Sequence, residues 1–229
     1  MSEPGQEAAP APIHTPRQAR SRETLTRLLD AAEAVLAEGG LEGATVPAIA
    51  ARAGLSVGAV YRRFPDKDAL LRAVYFRMFG RMREQNETKM DPDLYRDAPL
   101  ERVLRGIVRG IVQHYRQNRT LMQAMMQYAD THGDAEFRLR AAELNGAALS
   151  RLATIAAAKR DQMRHPDPEG AVRFALLTVG LVLRGVVLAN QAPPGFLLGE
   201  DVSLEDELTR MVLGYLGVEN ITSDLHDQV

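Results

Sequence analysis

The sequence predicts an all-α protein, and three observations carry that expectation. Apolar residues recur at helical spacing in one segment after another. Leu100, Val103, Leu104, Ile107, Val108, Ile111, Val112 and Tyr115 follow the three-four template without a miss, while Arg102, Arg105, Arg109 and Arg116 fall off the stripe and read as a solvated face. No segment alternates apolar and polar residues as a half-buried strand does. Residues 41–70, LEGATVPAIAARAGLSVGAVYRRFPDKDAL, carry the start and stop signals of two short helices joined by a tight turn, with a third helix following at once.

The elements follow in order. Residues 1–19, opening MSEPGQEAAPAPIHTP, are rich in Pro and Ala and have neither a basic start nor an apolar run, so they read as a flexible tail and not as a signal peptide or membrane anchor. From about Arg20 to Glu38, Leu25, Leu28, Leu29, Ala32, Val35 and Leu36 mark one helix face, and Gly39-Gly40 stops the helix. The next helix runs from Val46 to about Ala53. Thr45 caps it, Pro47 sits early where no N–H is lost, and Gly54 supplies the left-handed residue that ends it. Ser56 caps a helix from Val57 to about Phe64. Ile49, Ala50, Ala53, Leu55, Val60 and Phe64 form the inner faces, which leaves Val57, Gly58, Ala59, Tyr61, Arg62 and Arg63 outward.

Pro65 breaks the second short helix and Asp66 caps a longer one, whose buried side is Leu70, Leu71, Val74, Tyr75, Met78 and Met82, up to about Thr88. Residues 90–99 read as a linker by their prolines and aspartates. After the helix that starts at Leu100, Leu121, Met122, Met125, Met126 and Ala129 mark another, ended near His132-Gly133. Phe137, Ala141, Leu144, Ala148, Leu152 and Ile155 mark a long one, ended before His165-Pro166. Residues 171–189 are apolar nearly all round. Arg173 and Arg184 interrupt the run, which favours a helix buried in an oligomer over a membrane span. The loop QAPPGFLLGE follows, and Leu204, Leu208, Met211, Val212 and Tyr215 form a final amphipathic helix before a tail at 221–229.

Composition narrows the chemistry. With 229 residues, 45% hydrophobic and 25% charged, the chain is long enough to bury a substantial core. It holds no cysteine, which removes disulfides, thiolate metal sites and cysteine catalysis and fits a reducing, cytoplasmic compartment. The histidines make no metal-ligand spacing, and neither paired acid/base residues nor a phosphate-binding glycine loop is present. No metal, cofactor or catalytic residue is therefore expected. The net charge of −2 hides an asymmetry: residues 17–83 hold 12 Lys and Arg against 7 Asp and Glu, whereas residues 84–229 hold 16 against 21. A basic N-terminal part beside an acidic remainder suits a protein with one nucleic-acid face.

The string Thr-Val-x-x-Ile-Ala-x-x-Ala-Gly-Leu-Ser-x-Gly, then Val-Tyr-Arg-x-Phe, then Pro-Asp-Lys-Asp-x-Leu resembles the DNA-binding domain of the TetR (tetracycline-repressor-like) family of bacterial regulators across residues 22–70. The resemblance implies a helix-turn-helix DNA-binding domain at 20–66 and a helical ligand-binding and dimerisation domain at 67–220. It also implies a homodimer paired through the helices at about 168–190 and 203–217. By position, Thr45, Ser56, Tyr61 and Lys67 would hold phosphates while Val57, Gly58 and Ala59 face bases. Arg62 or Arg63 can make the bidentate contact to guanine that those small residues cannot. Lys67 stands at the wrong end of its helix for the dipole, which a phosphate bound there would explain. Arg17, Arg20 and Arg22 read either as a solvated helix start or as an arm entering the minor groove.

A short recognition helix reads few bases, so the expected partner is a double-stranded, near-palindromic operator bound by a dimer, with half-sites about one helical turn or a multiple apart. The regulatory half should hold a small-molecule effector. Met82, Tyr115, Met122, Met126 and Phe174 are candidate walls, and Arg184 is either a counter-ion or an interface residue. Core packing explains the same wall residues equally well. Repression and activation are not separable at this level, and an all-helical enzyme is the rival from another class.

Overall fold

The computed structural model describes residues 16–132, 135–188 and 203–219, and among them the chain is helical with no strand. Residues 1–15, the loop QAPPGFLLGE and the tail at 221–229 lie outside the described residues. Helix α1 runs Pro16–Gly43 and so starts before Arg20, where the sequence pattern placed it. The Gly39-Gly40 stop is a bend inside it: Gly40 takes φ 63° and ψ −163°, a backbone conformation open essentially to glycine alone, and the chain then completes one more short turn.

Helices α2 (Val46–Arg52) and α3 (Val57–Tyr61) form the helix-turn-helix, and α4 (Lys67–Lys89) leads out of it. The linker holds a 3-10 turn, Pro92–Tyr95. Then come α5 (Leu100–Gln117), α6 (Arg119–His132) and α7 (Ala135–Ala157), followed by a 3-10 turn at Arg160–Gln162. Helix α8 (Pro168–Leu183) passes directly into a π turn, Arg184–Leu188, and α9 (Leu204–Leu216) closes the described chain.

The buried side chains form two cores. One joins α1–α4 to α6 and the first half of α7, with Leu28, Ile49, Val60, Tyr75, Tyr128 and Phe137 at its centre. The other joins α5, the second half of α7, α8 and α9, with Leu104, Val108, Ile155, Leu176 and Val212 among its buried members. The helix-turn-helix therefore shares its core with α6, and an aromatic group seals that joint. The Tyr75 and Tyr128 ring centroids lie 5.0 Å apart, and Phe137 is 5.4 Å from Tyr75.

Some expectations change here. Arg105 and Arg109 are not simply solvated: Arg105 donates to Glu101, a carboxylate only 7% exposed, at 2.9 and 2.6 Å, and Arg109 reaches Glu205 on α9 at 2.9 Å. Burying Glu101 unpaired would carry a large desolvation cost, so Arg105 is part of the packing. On α9, Leu208 and Val212 are buried as expected, but Met211 and Tyr215 point outward. Helix α8 with its π turn is long and apolar enough to cross a membrane by length and composition. In this fold one side of it packs on α5, α7 and α9, while Phe174, Leu177 and Leu181 stay exposed on the other.

Candidate nucleic-acid interface

The reading unit is built from caps. The Thr45 hydroxyl oxygen accepts from the Ala48 N–H at 3.3 Å, and the Ser56 oxygen accepts from the Ala59 N–H at 3.2 Å, so each satisfies an otherwise unpaired amide of its helix. Gly54, at φ 63°, closes α2. Its N–H donates to Ala51 O at 3.1 Å and that of Leu55 to Ala50 O at 2.9 Å, the paired bonds of a Schellman end. Leu55 and Phe64 then pack against the buried Ile49, Ala50, Ala53 and Val60. Regular helix ends at Tyr61, earlier than the expected Phe64, although the Arg63 and Phe64 amides still return to Val60 O at 2.9 and 3.0 Å.

What remains outside is the face the sequence implied. Val57 is 39% and Tyr61 49% exposed, and Gly58, Arg62 and Arg63 are exposed beside them, with Ala59 half-buried. Because the cap hydroxyls use a lone pair toward the backbone, their O–H groups stay available to donate to an incoming phosphate oxygen. The Arg62 guanidinium folds back toward Gly58, where a Cβ would meet its Nη1 at 3.9 Å, an ordinary contact. Arg63 is held differently: both its terminal nitrogens donate to Ser21 Oγ of α1 at 3.3 Å. Lys67 donates to Leu41 O at 3.3 Å, which holds its ammonium at the start of α4 and leaves further N–H donors for a phosphate.

The start of α4 is also tied to the regulatory half by residues the sequence reading did not single out. Asp68 Oδ1 accepts from the Tyr128 hydroxyl at 2.8 Å and lies 3.5 Å from His132 Nε2, with the two α6 rings stacked at 4.4 Å. One turn on, Arg72 pairs with Glu136 of α7. In the sequence Asp68 stood in the Pro-Asp-Lys-Asp-x-Leu string and as an acid in a helix first turn, which the dipole already explains, and neither signal pointed to α6. Among the described residues the Tyr75 hydroxyl has no hydrogen-bond partner, and burial pushes its pKa well above the ordinary tyrosine value.

The expected effector residues are not all together. Met82 packs on the first core and Tyr115 on the second, while Met122 and Met126 on α6 are half-buried outside both. Phe174 is not a pocket wall: it is 58% exposed and packs on Tyr215, ring centroids 5.7 Å apart, because its helix turns that side away from the core. Arg184 is exposed at the start of the π turn. Its charge opposes the upward push that burial gives the Tyr115 pKa.

The comparisons agree with this geometry. Residues 28–74 match the profile of the bacterial regulatory proteins of the tetR family, and residues 99–216 match the tetracyclin repressor-like C-terminal domain. The HTH-type transcriptional repressor KstR of Mycobacterium tuberculosis is 32% identical over 118 residues, a match spanning 50% of this chain and about half, 52%, of that protein. Among solved structures, a TetR transcription regulator from Haloarcula marismortui aligns with TM-score 0.60 at 18% identity, over 86% of this chain and 97% of that one. The transcriptional regulator FadR from Bacillus subtilis, solved in complex with stearoyl-CoA, aligns with TM-score 0.56 at 19% identity, over 83% and 98%. With its C-terminal domain alone matched over half of its length and its helix-turn-helix matched beside it, this chain belongs to the TetR family of bacterial regulatory proteins.

Proposed function

We propose that this protein is a cytoplasmic DNA-binding transcriptional repressor that grips a palindromic operator as a homodimer and is released by a small-molecule effector, and that it is not an enzyme. The observation that carries the reading is the outward face of α3, where Val57, Tyr61 and Arg62 stand exposed on a helix fixed from behind by a buried core. Thr45, Ser56, Tyr61 and Lys67 contact phosphates, Val57 and Ala59 meet thymine methyl groups, and Arg62 supplies polar base recognition. Mobility-shift titration tests this. Tyr61→Ala and Lys67→Ala weaken binding to every duplex, and Arg62→Ala also narrows the gap between operator and unrelated DNA; wild-type affinity in all three variants would sink the assignment.

The dimer reading rests on the apolar face of α8 and α9. Phe174, Leu177, Leu181, Met211 and Tyr215 are exposed there, bordered by Arg173 in its ion pair with Glu169, by Arg210 in its pair with Glu207 and by Arg184, a patch a monomer rarely leaves in water. A copy of the same face is the natural cover under two-fold symmetry.

Effector release follows from the position of α6. Its Gln123 side chain donates to Leu188 O of the π turn at 2.6 Å, and five residues on Tyr128 holds Asp68 of α4. A ligand that spreads α6 from the π turn, beside Tyr115, Met122 and Met126, shifts α4 and with it α3. Only a difference in its affinity for the two arrangements moves the population. The stearoyl-CoA bound by the FadR relative makes acyl compounds the first class to try.

A further inference from the structure

The first turns of α1 hold a basic ridge that neither the regulatory core nor the helix-turn-helix consumes. Arg20, Thr24 and Arg27 recur at four- and three-residue spacing and so share one face, next to Ser21. Ser21 accepts both terminal N–H groups of Arg63, which joins this face to the C-terminal end of α3. The acidic side of the same helix is neutralised from α4: Arg77 pairs with Asp30 at 2.8 Å and with Glu33 at 3.2 Å, and Arg81 also pairs with Glu33. Arg20 and Arg27 are exposed and form no ion pair among the described residues, not even with the neighbouring Glu23. An extended arm threading a minor groove does not fit, because residues from Pro16 on are already helical.

We propose that this ridge is a second DNA-backbone contact, in which Arg20 and Arg27 bind phosphates flanking the groove that α3 enters and Ser21 holds Arg63 in line with them. Duplex DNA is the occupant because the ridge is cationic and continuous, through the Ser21–Arg63 bracket, with the face that presents Tyr61 and Arg62. The contact carries no sequence information, since long cations on an outer helix reach backbone and not base edges. Its effect is a fixed increment of affinity and a fixed orientation of the reading head.

The inference rests on the DNA-binding reading, so the experiment first asks whether the wild-type protein binds a duplex obtained by selection from random DNA. Failure there removes the function itself. Given binding, the Arg20→Ala/Arg27→Ala double variant is titrated by fluorescence anisotropy against that duplex and an unrelated one over a range of salt. The expected result is an equal fold-loss on both duplexes and a plot of log affinity against log salt that is shallower by about 0.9 for each phosphate contact removed. Trimming the duplex flanks should erase the difference from wild type, and Arg20→Lys/Arg27→Lys should restore the slope. Wild-type slope and affinity in the alanine variant would overturn the proposal, as would a loss confined to the selected sequence or a failure of the lysine variant to recover. Circular dichroism keeps a folding defect distinguishable from a lost contact.

Discussion

Among the described residues, α3 and the pair α8–α9 each expose more than one large apolar side chain, and the two faces differ in what surrounds them. On α3, Val57 and Tyr61 stand among glycine, alanine and two arginines. On α8 and α9, Phe174, Leu177, Leu181, Met211 and Tyr215 make a broader apolar face, with Arg173 and Arg210 at its border held in ion pairs with Glu169 and Glu207 and Arg184 at its end. The first surface is small, stepped and positively bordered, which suits a polyanion with readable groove edges. The second is broad and apolar, which suits another protein surface that excludes water. Exposure of apolar area thus has two meanings here, and the breadth of the apolar patch separates them.

The broader apolar face carries the largest expected effect. Leu181→Asp, at a side chain 60% exposed, is expected to place a charge in the dimer contact and raise the dissociation constant by more than about 100-fold, roughly 3 kcal/mol. Sedimentation at micromolar concentration checks this, and a dimer unchanged by the substitution would assign that face another partner. The smaller face gives the next effect: Arg62→Ala is expected to cost about 1–3 kcal/mol of base discrimination while leaving the dimer intact, read from titrations on matched and single-base-changed duplexes.

Between the faces lies the coupling through α6. Tyr128→Phe keeps the ring stacking and removes the hydroxyl held at 2.8 Å by Asp68, so a loss of about 1 kcal/mol in unfolding free energy by denaturant titration is expected. Faster amide exchange in the first turn of α4 should accompany it. A global loss of protection with no preference for α4 would contradict a local tether.

The smallest effect is electrostatic. Partial desolvation by the surrounding chain, then the nearby Lys89 ammonium, holds the pKa of the surface-lying His114 below its ordinary 6.5. A group with a lowered folded value gains a proton more readily when unfolded, so stability is retained above pH 6.5 and falls as pH drops below it. His114→Asn should flatten that decline in thermal melts between pH 7 and about 5.

The reading unit was legible because its signals are local. Thr45, Ser56 and Asp66 each cap the helix that follows within three residues, and Gly54 closes α2 through its own backbone. The partition of the cores was not legible, because periodicity tells which face of α6 is apolar and not which helix covers it. Tyr128 and Phe137 look like ordinary core residues in sequence, yet they join the regulatory helices to α4. Phe174, Met211 and Tyr215 show the same limit from the other side, since an apolar residue at helical spacing faces either the core or a second subunit. The Arg63 bracket at Ser21 spans a sequence separation of 42 residues and left no local trace.

The measurement that bears most directly on the whole account is selection of bound duplexes from random DNA by the full chain. The account predicts enrichment of an inverted repeat whose half-sites lie about one helical turn or a multiple apart. Enrichment of a lone half-site without an inverted partner, or no enrichment at all, would contradict it.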